Sequence, residues 1–225
     1  MSELNYKRRS SVTGADTSVV VFLHGYGADG SDLLGLAEPL AQHLPDTVFV
    51  AADAPTRSMA NPMGFQWFPI PWIDGSTEVA AAEGLRHSAK MLDKLIDKVL
   101  AEEGLSPDRL VLFGFSQGTM MSLHVAPRRA DPIAGIVGFS GRLMYPETLA
   151  EEALSQPPVL LVHGDADDVV PFDEMQNAGT ALQDAGFTVF GHVMEGTAHG
   201  IAPDGLSVAL SFIVEVLEGG GAASQ

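Results

Sequence analysis

A serine set between glycines, Gly114-Phe-Ser-Gln-Gly118, is the segment of this chain best suited to chemistry. It follows an apolar run, Arg109-Leu-Val-Leu-Phe113, and precedes a stretch of helical pattern, so Ser116 is predicted at the apex of a strand–turn–helix. A turn that sharp strains the serine's dihedrals and presses helix against strand, which leaves room only for glycine on either side. A helix opening beneath the serine also aims backbone N–H groups and the positive end of its dipole at a developing oxyanion. The chemistry implied is nucleophilic attack on an acyl carbon, which needs a base and an acid to orient that base.

In this frame the acid and the base follow the serine, in that order. Leu160-Leu-Val-His-Gly-Asp-Ala-Asp-Asp-Val-Val-Pro171 places Asp165, Asp167 and Asp168 at the carboxyl end of a buried strand. Glu195-Gly-Thr-Ala-His-Gly200 then places His199 between small residues, ahead of the last helix. His43, His87, His124, His163 and His192 are read as structural. The three aspartates could open a calcium loop, but the glycine and terminal glutamate such a loop requires are missing. No metal and no cofactor is expected.

One motif competes. Gly25-Tyr-Gly-Ala-Asp-Gly30 reads as a dinucleotide fingerprint after a strand, with Asp53 near the end of the next strand. That reading leaves the serine turn, the aspartate loop and the histidine loop as three coincidences. Acyl chemistry uses all four, with His24-Gly-Tyr-Gly27 as the loop whose glycines let a backbone N–H approach the substrate carbonyl.

The elements that must position these groups alternate along the chain. Apolar runs at 18–23, 48–51, 109–113, 133–137, 159–162 and 187–190 suit strands buried on both faces. Helical patterns lie at 31–43, 78–103, 117–127, 172–185 and 204–218. The class is therefore α/β, a mostly parallel sheet with helices on both faces. One domain is expected over 1–225, with 219–225 a flexible tail. The segment 141–158 has room for one small helix, not a lid domain. The long segment 53–77 is proline-rich and holds Phe65, Trp67, Phe68 and Trp72, which, with Val169 beside the aspartates, are candidates for the wall of a substrate pocket.

Composition narrows the partners. A net charge of -17 over 225 residues disfavours nucleic acid, anionic membranes and strongly anionic substrates, and favours a neutral ester. The absence of cysteine excludes disulfides, thiolate metal sites and a cysteine nucleophile. No apolar stretch approaches the ~18 residues of a membrane span. The opening MSELNYKRRSS shows no secretory signal, so a cytoplasmic protein is expected.

Together FLHGYGADG, GFSQG, HGDADDVVP and GTAHG resemble the carboxylesterase and acyl-protein thioesterase family, also called phospholipase/carboxylesterase, of the α/β-hydrolase fold. The resemblance covers most of the chain. It implies Ser116 as nucleophile and His199 as base, selects Asp167 as the acid, and assigns the oxyanion donors to the backbone N–H groups of Tyr26 and Gln117. It implies a serine esterase acting on small to medium neutral esters or thioesters, and homodimers occur among such relatives. The segment FQWFPIPWIDG departs from the eukaryotic thioesterases, so action on lipid acyl chains, as thioesterase or lysophospholipase, is the alternative. A non-catalytic ligand-binding protein would need a broken triad.

Overall fold

The computed structural model describes residues 3–219. Its centre is a seven-stranded sheet in the order β1-β3-β2-β6-β7-β8-β9. The strands are β1 (Tyr6–Arg9), β2 (Ser18–Leu23), β3 (Thr47–Ala52), β6 (Leu110–Phe115), β7 (Gly135–Phe139), β8 (Val159–Gly164) and β9 (Val189–Met194). Only β1 runs antiparallel, against β3. The other pairs are parallel, as strand–helix alternation requires.

All but the last of the continuous apolar runs, 187–190, have the cause anticipated for them, which is burial on both faces. Val19, Val21, Leu23, Leu110, Leu112, Ile136 and Leu161 point to one face. There they meet α4 (Glu78–Glu103), α5 (Gln117–Val125), α6 (Pro146–Glu152) and α7 (Asp173–Asp184). Val20, Phe22, Val111, Phe113, Val137, Phe139 and Leu160 point to the other. They meet α1 (Gly30–Leu34), α2 (Ala37–Ala41) and α8 (Pro203–Gly219). Each inward side chain removed from water contributes roughly 1.5–3 kcal/mol. Among the described residues no helix is long and apolar enough to cross a membrane.

Four expectations need correction. β1 was not anticipated, because Tyr-Lys-Arg-Arg is polar; as an edge strand it exposes Lys7 and Arg8, and Arg8 Nε bonds Glu103 Oε1 at 2.7 Å. The helix expected over 31–43 is two short ones. Pro39 has no N–H to carry a helical ladder across the break and is tolerated only in the first turn of α2. The last strand begins at Val189 rather than 187, since an edge strand with Phe190 and Val193 exposed has no continuous apolar run. Gly219 closes α8 rather than opening a tail, and 220–225 lie outside the described residues.

The segment 53–77 is less irregular than its prolines suggest. It contains a small hairpin of β4 (Thr56–Arg57) and β5 (Phe65–Gln66), then α3 (Pro71–Asp74). The segment 141–158 carries the single small helix expected, α6.

Candidate active site

Ser116 stands between the end of β6 and the first residue of α5, with φ 54° and ψ -114°. A non-glycine residue there costs on the order of 1–3 kcal/mol and persists only when its surroundings fix it. They do so here: the Ser116 N–H donates to the Phe139 carbonyl at 2.9 Å, and its carbonyl accepts from Met120 N–H at 3.1 Å. The flanking glycines are steric necessities. A Cβ on Gly114 would lie 2.4 Å from the Gly118 carbonyl carbon, and one on Gly118 would lie 1.8 Å from the Leu23 carbonyl oxygen.

Asp167 and His199 meet across two loops. His199 Nδ1 donates to Asp167 Oδ2 at 2.7 Å, which leaves Nε2 as the face free to take a proton. Asp167 Oδ1 accepts the N–H groups of Val169 and Val170, both at 2.9 Å. Burial alone would raise the Asp167 carboxyl. The His199 bond and the two backbone donors outweigh it and hold the group below its ordinary range. The two loops are laced together by backbone: Ala166 N–H donates to the Thr197 carbonyl at 3.1 Å, and Gly196 N–H donates to Asp165 Oδ1 at 2.6 Å. Asp168 is exposed and turned away from this network. The Phe115 ring, one residue before the serine, lies 4.9 Å from the His199 ring and joins the pair to the serine turn.

Among the described residues, the backbone N–H groups of Tyr26 and Gln117 are spent on no internal hydrogen bond. Both flank Ser116: Gln117 follows it in the chain, and a Cβ on Gly25 would lie 3.3 Å from Ser116 Cβ. His24 anchors the 24–28 loop from below. Its Nδ1–H donates to the Gly25 carbonyl at 2.7 Å and its Nε2 accepts Ala54 N–H at 3.0 Å, a pattern only the neutral ring satisfies. Burial, which holds this imidazole below its usual range, favours the same state. The dinucleotide fingerprint has another use in the fold. Asp53 Oδ1 accepts Gly30 N–H at 2.9 Å, so a carboxylate of the chain fills the helix end where a pyrophosphate would sit.

Two rings of the aromatic segment depart from the expected role. Trp67, 1% exposed, and Phe68 are buried core residues. They brace the loop that flanks the serine instead. Trp67 Nε1 donates to the His24 carbonyl at 2.9 Å, and the Gln117 amide bonds Trp67 N–H at 3.0 Å and the Phe68 carbonyl at 2.8 Å. Phe65 braces through its backbone, exchanging 2.8 Å hydrogen bonds with Gly27 N–H and the Ala28 carbonyl, while Arg57 lies over its ring. Trp72 is 65% exposed on α3 with the Arg142 guanidinium over its ring at 5.1 Å, and Val169 is also exposed. The cavity beside the site is lined by other residues. It measures about 340 Å³ and is walled chiefly by Ala28, Leu33, Leu36, Phe115 and Ile201, with His24 and Asp32 as its polar members. The signal for it was the apolar pair that follows the glycine loop, Leu33 and Leu36, together with Ile201 two residues after the histidine.

A further residue sits beside Asp167. His163, read from sequence as structural, is buried with Nε2 2.9 Å from the Val170 carbonyl and 3.2 Å from Asp167 Oδ2. Its place four residues before Asp167, at the end of a strand buried throughout, was the available signal.

A profile described as Phospholipase/Carboxylesterase matches residues 8–217. Acyl-protein thioesterase 1 of Gibberella zeae is 29% identical over 211 residues, covering 88% of this chain and 89% of its own. That of Yarrowia lipolytica is 31% identical over 173 residues, covering 73% and 76%. The crystal structure of esterase PE8 superposes with a TM-score of 0.91 at 41% identity, covering 96% of this chain and all of the other. The Bacillus cereus carboxylesterase, at 16% identity and a TM-score of 0.76 over 95% and 94%, shares the fold. The chain belongs to the phospholipase/carboxylesterase family of α/β-hydrolases, enzymes that hydrolyse carboxylic esters.

Proposed function

We propose that this chain is a serine carboxylesterase in which Ser116 is the nucleophile, His199 the base and Asp167 the acid that orients it. The observation that carries the reading is the strained Ser116 at the mouth of α5, with the buried Asp167 and its half-buried partner His199 joined to it through Phe115. His199 Nε2 takes the hydroxyl proton as Ser116 Oγ bonds the acyl carbon. The Tyr26 and Gln117 N–H groups hold the resulting oxyanion. Collapse breaks the bond to the leaving oxygen or sulfur, which takes the proton back from His199. Water then attacks the acyl-enzyme by the same route, releasing the acid and restoring the serine.

The substrate we propose is a small to medium neutral carboxylic ester or thioester. The apolar cavity beside Phe115, about 340 Å³, lies at the low end of the ~300–1,000 Å³ usual for small-molecule sites. The second reading, hydrolysis of lipid acyl chains, draws on relatives named acyl-protein thioesterase and on the exposed Met59, Met63, Trp72 and Ile73 of the 53–77 segment. The test is labelling by a fluorophosphonate probe, with Ser116→Ala as control, followed by a panel of esters and thioesters of increasing acyl length. Retained labelling in Ser116→Ala refutes the nucleophile. A preference for palmitoyl over butyryl substrates moves the assignment to the lipid reading.

A further inference from the structure

We propose that His163 is a positioning residue for the acid: its ring N–H pins the turn that carries Asp167 and steadies the carboxylate facing His199. The proposal rests on the serine-esterase reading above.

The geometry fixes where the proton is. Both atoms in front of His163 Nε2, the Val170 carbonyl oxygen at 2.9 Å and Asp167 Oδ2 at 3.2 Å, are acceptors, so Nε2 carries hydrogen. The shorter contact is the hydrogen bond. The longer one places the same N–H dipole beside the oxygen that receives His199 Nδ1–H at 2.7 Å. Val170 is thereby held at both ends, its N–H by Asp167 Oδ1 at 2.9 Å and its carbonyl by His163. Without His163 the turn from 167 to 170 loses its side-chain anchor to β8, keeping only the 3.3 Å bond from Asp167 N–H to the Gly164 carbonyl, and Oδ2 loses its second neighbour. Both side chains are almost wholly buried, so water cannot replace the donor cheaply. The Phe172 ring stands edge-on to His163 at 6.0 Å and walls the site from α7.

The other charged groups nearby do not share this role. Asp165 accepts from Gly196, while Asp168 and Glu195 are exposed, and none of the three bonds Asp167 or His199 among the described residues. The carboxylate is therefore poised between two histidines with opposite duties. One passes protons to the reaction, and the other holds the acid still.

The test uses the full chain and the second-order rate of fluorophosphonate labelling at Ser116, followed against pH, with p-nitrophenyl ester turnover beside it. His163→Leu removes the donor. Its labelling rate and kcat should fall about tenfold or more with KM little changed. The acid limb of the pH profile should also move to higher pH, because a carboxylate with fewer partners holds the His199 proton more tightly. His163→Gln, whose amide can return an N–H near the Nε2 position, should recover most of the rate and the original limb. Circular dichroism and a melting curve establish that each variant is folded; if His163→Leu fails to fold, the limb and rate of His163→Gln against His163→Met decide. An unmoved limb, or losses in which Gln is no better than Leu or Met, overturns the positioning role. Labelling that persists in Ser116→Ala would instead overturn the reading on which it rests.

Discussion

Replacing Asp167 by asparagine changes one atom, and the surroundings dictate which way the amide must turn. Oδ1 accepts two backbone N–H groups, so the asparagine oxygen is forced to that side; the opposite orientation would set an NH2 against two donors. The amide NH2 then faces His199 Nδ1 and the His163 N–H. His199 can meet it only by giving up the Nδ1 proton, which moves to Nε2. An imidazole in that tautomer has no free Nε2 lone pair for the serine proton. The expected loss in kcat/KM is about 10⁴-fold, or about 5 kcal/mol of transition-state stabilisation. Steady-state hydrolysis of p-nitrophenyl butyrate by Asp167→Asn measures it, with exposed Asp168→Asn as the control that should stay within a factor of about three. Asp167→Asn retaining more than about a tenth of wild-type activity, or equal losses in both variants, would refute the tautomer argument.

Other outcomes follow from the same geometry. Gly118→Ala sets a methyl 1.8 Å from the Leu23 carbonyl, so α5 must separate from β2; a large drop in melting temperature and loss of labelling at Ser116 are expected. Asp165→Ala frees Gly196 N–H and loosens the loop bearing His199, which should lower kcat about tenfold while leaving the melting curve close to wild type. His124 is pushed down to about 4 by burial and then by Arg128, from 6.5 when free. Between those values the unfolded chain binds a proton that the folded chain refuses. Stability should therefore fall by at most about 1.4 kcal/mol per pH unit as pH drops through this window, and denaturant titrations of His124→Phe should flatten that slope. Acyl length should raise kcat/KM on p-nitrophenyl esters by up to about 0.8 kcal/mol per methylene until the cavity is full, then lower it; a monotonic rise to palmitoyl would contradict a cavity of about 340 Å³.

What could be read from sequence was what sterics or two-sided burial dictate locally. The turn at Ser116 is legible because strand, glycine, serine, glycine and helix permit few other conformations. The five inner strands, β2, β3, β6, β7 and β8, are legible because both their faces are buried. β1 and the start of β9 are not, since an edge strand exposes side chains and loses its apolar signature. The roles of Trp67 and Phe68 were misread for a different reason. A loop rich in rings can line a cavity or fill one, and the choice depends on whether its backbone finds partners, here the Gln117 amide and the His24 carbonyl. The sequence supports only a structural reading of His163, because its partner Val170 is reached only after the chain turns back on itself.

The site thus divides into two halves secured by different means. One is the serine turn with the 24–28 loop, held by the core through Trp67, Phe65 and Gln117; it governs where the proposed oxyanion donors stand. The other is the proposed acid and base, Asp167 and His199, held by backbone bonds between the loops after β8 and β9 and by His163; in the proposed mechanism it governs the proton. They meet at the contact of Phe115 with His199. Loosening the first half should misplace the donors and depress turnover without moving the acid limb of the pH profile. Loosening the second should move that limb. Asn61→Ala, which deletes the 2.8 Å bond from Nδ2 to the Gly27 carbonyl, and His163→Leu are the paired perturbations that separate the halves. If both shifted the limb equally, the proton relay and the oxyanion loop would be one mechanical unit, and the division drawn from their hydrogen bonds would be wrong.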